Sequence, residues 1–152
     1  GKVNLYPTVL KKLGYDPLPR HYEPPESHFS SPKLAEEYPL ILTTGRLLEH
    51  WHTGTMTRRV PGLEGLVAEE RIRMNPLDAA QRGGEDGDWA RIRSRRGEVR
   101  ARVEVTEKCM VGVVFMTFHF AEAAANLLTN PALDPVAKIP ELKVCAVQVE
   151  KD

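Results

Sequence analysis

The segment from Glu98 to Val105 constrains the fold more strongly than any other part of the sequence. Charged and small apolar residues alternate along it without interruption. A repeat of two residues matches a β-strand with one buried face, whereas an amphipathic helix repeats about every 3.6 residues. We therefore expect a strand whose valines face a core and whose charged side chains face water.

Five other segments have strand character. Two of them repeat the alternation, and a third, Gly112–Met116, is uniformly apolar, which is typical of a strand buried on both faces. Tight turns are expected at residues 86–88 and at residues 95–97, the second joining two strands as a hairpin. The five segments are Pro39–Thr43, Arg71–Met74, Trp89–Arg93, Gly112–Met116 and Lys143–Val149.

Two short helices are expected between the strands. One has Asn75 as its N-cap, Pro76 at its first position and Gly83 just past its end, which is a common distribution of start and stop residues. The other is the alanine-rich segment Ala121–Leu128. Six strands with short helices favour a mainly β fold closed into a barrel, because closure removes the edges that an open sheet leaves exposed.

The N-terminal part of the chain differs in composition from the rest. Residues 1–37 contain six of the 12 prolines, and proline both fixes φ and lacks the N–H needed for regular pairing. We expect residues 1–37 to form an extended, Pro-rich arm or linker with one helical turn around Thr8–Leu13. The barrel domain is expected to begin near Tyr38 and to occupy residues 38–152.

Charge and cysteine content argue against several functions. Lys+Arg and Asp+Glu both number 21, and this balance argues against nucleic acid or an anionic membrane as the main partner. The sequence has neither an apolar run of about 18 residues nor a signal-peptide pattern. Cys109 and Cys145 lie far apart, which argues against an iron–sulfur cluster or zinc site held by this chain alone. Cys145 lies in an apolar run and is expected to be buried.

The most unusual segment is residues 43–59. It contains five threonines, two glycines, three arginines and two histidines, against one acid, Glu49. Glycine allows a close backbone approach, while hydroxyl, N–H and guanidinium groups bind phosphate oxygens. The segment therefore has the chemistry of a loop around a diphosphate or a polar heterocycle, although it is not a P-loop. Two alternatives stay open: a polar surface loop with solvated arginines, or a metal site using His50 and His52, for which no third ligand lies nearby.

Seven stretches, in order, carry a resemblance to a known family. They are Tyr38–Arg46, Glu49–Arg59, Asn75–Ala79, Asp86–Trp89, Ser94–Glu98, Phe118–Asn126 and Lys143–Val147. Together they resemble the molybdopterin-dinucleotide-binding domain of the dimethyl-sulfoxide-reductase superfamily. The stretch Phe118–Asn126 looks most like formate dehydrogenase catalytic (alpha) subunits, whereas nitrate reductases share mainly the first loop and the region around Lys143. One departure is Thr117, where a proline is common in the family.

The resemblance implies a six-stranded double-psi β-barrel that binds molybdenum bis(molybdopterin guanine dinucleotide). It implies that Phe118 faces the cofactor or the substrate funnel and that Asn126 and Lys143 contact a pterin, to which amide and ammonium groups are suited. It implies neither a catalytic residue nor a metal ligand in this chain. The residues expected to wrap one dinucleotide are Thr44, Gly45, Arg46, Leu47, Leu48, Glu49, His50, Trp51, His52 and Thr53.

Three of these assignments have a structural alternative. Trp51 could pack on the barrel instead of contacting the cofactor, and Asn126 could simply lie at a helix end. Lys143 could be a solvated charge at the end of a strand. His119, between two phenylalanines, is expected to be a structural histidine with satisfied hydrogen bonds.

The resemblance also implies a role within a larger protein. The parent would be a molybdenum-dependent formate dehydrogenase that oxidises formate to carbon dioxide, with an iron–sulfur cluster outside this chain. The expected partners are the other domains of that subunit and electron-transfer subunits, with no nucleic acid or membrane partner, in the cytoplasm. The isolated chain is expected to be inactive. The alternatives are the same domain of a nitrate reductase, or a free-standing double-psi barrel that binds nucleotides or proteins.

Overall fold

The computed structural model describes residues 3–152 and contains six β-strands. All six predicted strands are present, with ends shifted by up to two residues. The strands are β1 (Leu40–Gly45), β2 (Arg71–Met74), β3 (Trp89–Arg93), β4 (Glu98–Val105), β5 (Val113–Thr117) and β6 (Cys145–Lys151). The helices are α1 (Thr8–Lys12), α2 (Pro32–Glu37), α3 (Pro61–Glu64) and α4 (Pro76–Gln81), with 3₁₀ turns at Thr57–Arg59, Ala121–Ala123 and Ala125–Leu127.

The strands close into a barrel in the order β1-β5-β2-β4-β3-β6. Two neighbouring pairs, β1–β5 and β2–β4, are parallel, and the remaining pairs are antiparallel. This mixture of parallel and antiparallel pairs in a closed six-stranded sheet is the double-psi β-barrel. The mainly β, closed-barrel prediction is therefore confirmed.

The alternation along β4 determines which side chains enter the core. Val99, Ala101 and Val103 are buried, whereas the arginines between them face outwards or are only partly covered. Cys145 is fully buried, as its apolar neighbours predict. The core also contains Leu40, Leu42, Ile72, Met74, Ile92, Val114, Met116, Leu128 and Val147.

The predicted helix Ala121–Leu128 is wrong. The structure has two 3₁₀ turns there, separated by Ala124 in an extended conformation. Ala123 and Ala125 are both buried, and residues two apart point to different sides of an α-helix. Packing both side chains inward therefore requires a break in the helix. The other predicted helix is confirmed as α4, where the Asn75 side chain accepts a hydrogen bond from the Leu77 N–H at 3.0 Å.

The N-terminal arm contains more helix than expected. The predicted turn is present as α1, but α2 was not predicted, although Pro32 at its first position is compatible with a helix start. The division of the chain between residues 37 and 38 stays a prediction. Within residues 3–152, the longest helix has six residues, and none could cross a lipid bilayer.

Candidate cofactor-binding site

The residues predicted to wrap a dinucleotide, 44–53, leave the barrel where β1 and β5 run side by side. Gly45 is paired with Thr117, and a Cβ at Gly45 would lie 2.6 Å from the Phe115 ring. The Thr44 hydroxyl donates to the Leu142 carbonyl at 2.7 Å, and Lys143 Nζ donates to the Thr44 carbonyl. Lys143 thus lies at the base of the 44–53 loop, and its contact with a pterin stays a prediction.

Arg46 lies among aromatic side chains at the start of the loop. Its guanidinium carbon is 6.0 Å from the Trp51 ring centre and 5.6 Å from that of Phe118, distances suited to cation–π attraction. Its Nη2 is 3.1 Å from His52 Nδ1. The fold therefore brings Phe118, distant in sequence, to the 44–53 loop. Trp51 is 59% exposed, so it is not packed into the barrel.

His50 and Thr57 hold the middle of the loop. His50 Nε2 donates to the Val67 carbonyl at 2.6 Å, which leaves Nδ1 to accept from the Thr57 hydroxyl at 3.1 Å. The same hydroxyl accepts from the Trp51 N–H at 3.1 Å. His50 is buried and His52 is exposed, so the two side chains have different surroundings and separate contacts.

His119 joins the two halves of the loop. The Leu47 N–H donates to its Nε2 at 2.8 Å, and its Nδ1–H donates to the His52 carbonyl. The ring is 1% exposed. Burial lowers the pKa of His119, and the positive charge of Arg46 lowers it further, although the bond to His52 acts in the opposite direction. The expectation of a structural histidine with satisfied hydrogen bonds is confirmed.

A buried carboxylate supports the segment that carries His119. Glu70 accepts from the Thr117 N–H at 2.9 Å and from the Thr117 hydroxyl. Burial raises the pKa of Glu70, and the two bonds from Thr117 oppose that rise. A proline at position 117 would have no N–H to donate. The departure noted at Thr117 therefore coincides with a specific partner, Glu70.

Arg58 fixes the chain just after the loop. It donates to Glu64 at 3.2 Å and to Glu122 at 2.9 Å, and it lies 4.8 Å from the Phe120 ring centre. Its pKa is raised by both carboxylates, with Glu122 acting more strongly. The alternative of solvated arginines is therefore wrong for Arg58.

The backbone of the loop reverses at two positions. His52 and Gly54 have φ of 47° and 71°, in the left-handed region that glycine adopts at little cost. A Cβ at Gly54 would lie 2.9 Å from the His119 carbonyl oxygen and 2.7 Å from Arg58. The close approach of two segments therefore requires glycine at position 54.

The outer part of the loop offers hydrogen-bond donors. Leu48 is 99% exposed, and within residues 3–152 the amide N–H groups of Leu48, Glu49, His52 and Thr53 have no acceptor. A cavity of about 680 Å³ borders the start of the loop at Leu47. These N–H groups and the Arg46 guanidinium of the same loop form a donor set that fits diphosphate oxygens.

Asn126 lies apart from this donor set. It is exposed in the 3₁₀ turn Ala125–Leu127, and its carbonyl accepts from the Thr129 hydroxyl at 3.1 Å. Within the described chain, no hydrogen bond joins Asn126 to the 44–53 loop or to Lys143. Its contact with a pterin stays a prediction.

Sequence reasoning missed Thr57, Arg58 and Glu70 as supports of the loop. Thr57 and Arg58 lay in the unusual segment, but nothing in the pattern separated them from solvated residues. Glu70 follows another glutamate before β2, and two adjacent acids ordinarily indicate an exposed turn.

Comparison with known families identifies the domain. The family model described as "Molydopterin dinucleotide binding domain" matches residues 40–146. The chain belongs to this family. The matched residues include β1 to β5 in full, the first two residues of β6 and the whole 44–53 loop. The match to the molybdopterin-dinucleotide-binding family therefore spans the loop as well as most of the barrel.

Two relatives show which proteins contain similar domains. The domain is 54% identical over 116 residues to the F420-dependent formate dehydrogenase subunit alpha of Methanocaldococcus jannaschii. It is 49% identical over 130 residues to the F420-dependent formate dehydrogenase 2 subunit alpha of Methanococcus maripaludis. These alignments cover 76% and 86% of this chain but only 17% and 19% of the relatives.

A solved structure has the same fold. Acetylene hydratase from Pelobacter acetylenicus superposes with a TM-score of 0.81 at 24% identity, covering 99% of this chain and 23% of the hydratase. The hydratase chain is about four times as long as this one. It contains a region with the same fold as the molybdopterin-dinucleotide-binding domain described here, including the arm.

Proposed function

We propose that this chain binds the bis(molybdopterin guanine dinucleotide) form of the molybdenum cofactor as the C-terminal domain of a formate dehydrogenase catalytic subunit. The observation that carries the proposal is the 44–53 loop, which holds Arg46 and, among the described residues, N–H groups without an acceptor, and whose first residue is bonded to Lys143. When bound, the molybdenum centre would supply two-electron redox chemistry. The residues of this chain would bind and orient the dinucleotide.

The roles of the individual residues follow from their surroundings. N–H groups between Leu48 and Thr53 would donate to the diphosphate, and the Arg46 guanidinium would add a charged donor. Lys143 would offset negative charge at the base of the loop. Phe118 would face the cofactor or the substrate funnel while its ring holds Arg46 in place, and Asn126 would contact a pterin.

Similarity to relatives favours formate over nitrate as the parent's substrate. The relatives at 49–54% identity are alpha subunits of F420-dependent formate dehydrogenases. We extend the proposal to an iron–sulfur cluster in the parent, to electron-transfer subunits as partners and to a cytoplasmic location. We also propose residues 38–152 as the cofactor-binding domain and residues 1–37 as the arm that leads into it.

The sharpest test is a domain exchange. The matching segment of the Methanocaldococcus jannaschii subunit would be replaced by this chain, and molybdenum content and formate oxidation would be measured. We expect the chimera to retain both, whereas Arg46→Ala in the chimera should lower cofactor content. The control is Arg59→Ala, an exposed arginine outside the 44–53 loop. A folded chimera that contains no molybdenum would contradict the proposal.

Nucleotide titration tests the guanine form separately. The 152-residue chain would be titrated with GDP and with ADP while the amide signals of residues 44–53 are followed by NMR, which detects weak binding. We expect GDP to shift these signals at lower concentration than ADP. Equal responses to both nucleotides would contradict the guanine assignment.

A further inference from the structure

His119 is the side chain that connects both halves of the 44–53 loop. Its Nε2 accepts from the Leu47 N–H at 2.8 Å, and its Nδ1–H donates to the His52 carbonyl. The two bonded residues lie on either side of the loop's exposed tip. Since an imidazole is planar and fully enclosed here, it fixes the separation of the two segments.

The ring itself is held by its neighbours. His50 and Phe120 lie 5.7 Å and 6.2 Å away, centre to centre. The His119 N–H is also 3.4 Å from the Thr117 hydroxyl, which donates to Glu70. These contacts hold the His119 ring in place beside the end of β5, and the ring in turn fixes the position of the loop.

We infer that His119 is a positioning residue that holds the 44–53 loop in the conformation that binds the dinucleotide. The inference rests on the proposed function of the loop. His119 itself does not offer a free polar atom to a ligand, because both ring nitrogens are used within the protein. Its effect on binding is therefore exerted through Leu47 and His52.

We call the two hydrogen bonds from the His119 ring to Leu47 and His52 the clamp. The clamp requires an unprotonated Nε2. A proton on this nitrogen would face the Leu47 N–H and abolish the bond. Within residues 3–152, the titratable and charged groups that face His119 are His50, His52 and Arg46. Burial lowers the pKa of His119, so the clamp is intact at neutral pH. The free energy that the clamp contributes is complete above the ordinary histidine pKa of about 6.5. It decreases as pH falls towards the lowered pKa of the folded state.

Hydrogen exchange of the Leu47 amide measures the clamp directly. In the 152-residue chain, His119→Phe keeps an aromatic ring of similar size but removes both hydrogen bonds. We expect it to lower the Leu47 protection factor roughly tenfold or more. His119→Gln keeps a donor and an acceptor and does not titrate, so it should retain protection between about pH 5 and 8, where wild-type protection declines towards acid.

Two controls separate positioning from general unfolding. The Val103 amide, which donates to the Asp88 carbonyl in the barrel, should keep its protection in all variants. His28→Gln changes an exposed histidine of the arm and should leave the Leu47 pH profile unchanged. A uniform loss of Val103 and Leu47 protection in both His119 variants would overturn the inference.

GDP titration of the same variants connects the clamp to binding. We expect His119→Phe to weaken GDP binding about tenfold or more, and His119→Gln to retain it at neutral pH. Wild-type-like GDP affinity in His119→Phe would overturn the positioning role while leaving the proposed function intact. If wild-type chain does not bind GDP, the proposed function fails, and the positioning role fails with it.

Discussion

At the scale of single residues, the 44–53 loop depends on close contacts that tolerate little change. Gly54 is buried with a positive φ, and a Cβ at this position would collide with the Arg58 side chain and the His119 carbonyl oxygen. Gly83, just after α4, has a similar φ of 64° but open space around it. Alanine at Gly83 therefore measures the free-energy cost of the left-handed backbone alone, whereas alanine at Gly54 adds the cost of a steric clash.

Replacing each glycine with alanine should give different losses of stability. Gly83→Ala should lower the free energy of unfolding by about 1–2 kcal/mol, because only the left-handed backbone is penalised. Gly54→Ala should cost about 1–3 kcal/mol more, since the backbone oxygen of His119 must move. Urea unfolding of the two variants measures the difference, and equal losses would contradict the collision.

At the scale of elements, α4 links β2 to the segment before β5. The Asn75 side chain accepts from the Leu77 N–H and donates from Nδ2 to the Cys109 carbonyl at 2.9 Å. Asp78, in the first turn, accepts from the Gly112 N–H at 2.7 Å. Both contacts fix where β5 begins, and β5 leads to Thr117, Phe118 and His119.

Two variants of Asn75 test this coupling. Asn75→Ser keeps an oxygen that can cap the helix but does not reach Cys109, whereas Asn75→Ala removes both contacts. We expect Asn75→Ala to lower the free energy of unfolding by about 1–2 kcal/mol and Asn75→Ser to lower it less. Chemical denaturation is the measurement, and a wild-type stability of Asn75→Ser would contradict the contribution of the Cys109 contact.

At the scale of the whole molecule, one buried carboxylate attaches the arm to the barrel. Glu26 is 2% exposed and accepts from Arg95 at 2.9 Å, from Arg96 and from the Ala146 N–H at 3.0 Å. Burial raises the pKa of Glu26, but the bonds from Arg96, Arg95 and Ala146 together outweigh burial and lower it. The arm is therefore joined to the β3–β4 hairpin and to β6.

Glu26→Gln should destabilise the molecule and change its response to acid. We expect a loss of about 1–3 kcal/mol at neutral pH, because Gln cannot accept all the bonds that the carboxylate accepts. Since the folded-state pKa of Glu26 is lowered, its stabilisation is complete above about pH 4.3 and decreases as pH falls through the folded value. The difference from wild type should therefore shrink in acid.

Urea titrations at neutral and acidic pH measure both effects of Glu26→Gln. The matched control is Glu36→Gln, which changes an exposed glutamate of the arm and should alter stability by less than about 0.5 kcal/mol. A constant difference from wild type across the pH range would argue against the role of the Glu26 carboxylate.

The isolated chain should not oxidise formate. It contains the barrel and one proposed half of a cofactor site, while its relatives are about four and a half times as long. We expect no formate-dependent dye reduction by the 152-residue chain, with or without added molybdenum cofactor. The measurement is dye absorbance against a formate-free control, and any formate-dependent rate would contradict the expectation.

The sequence by itself determined the strands of the barrel and the position of its unusual loop. The alternation in β4 and the cap of α4 are local signals, because they depend on neighbours within a few residues. The resemblance in 44–53, Phe118 and Lys143 identified residues that the structure brings to one end of β1 and β5. Asn126 was predicted on the same basis, but its side chain lies in a separate turn.

Only the tertiary structure decided what holds that loop. His119 and Glu70 become supports because β5 ends beside β1 and β2, more than 40 residues away in sequence. The break between Ala123 and Ala125 likewise arises from packing against the barrel, which overrides the helix preference of alanine. Hydrogen bonds between segments that are distant in sequence leave no periodic pattern in the chain. Their partners can therefore be identified only in the closed barrel.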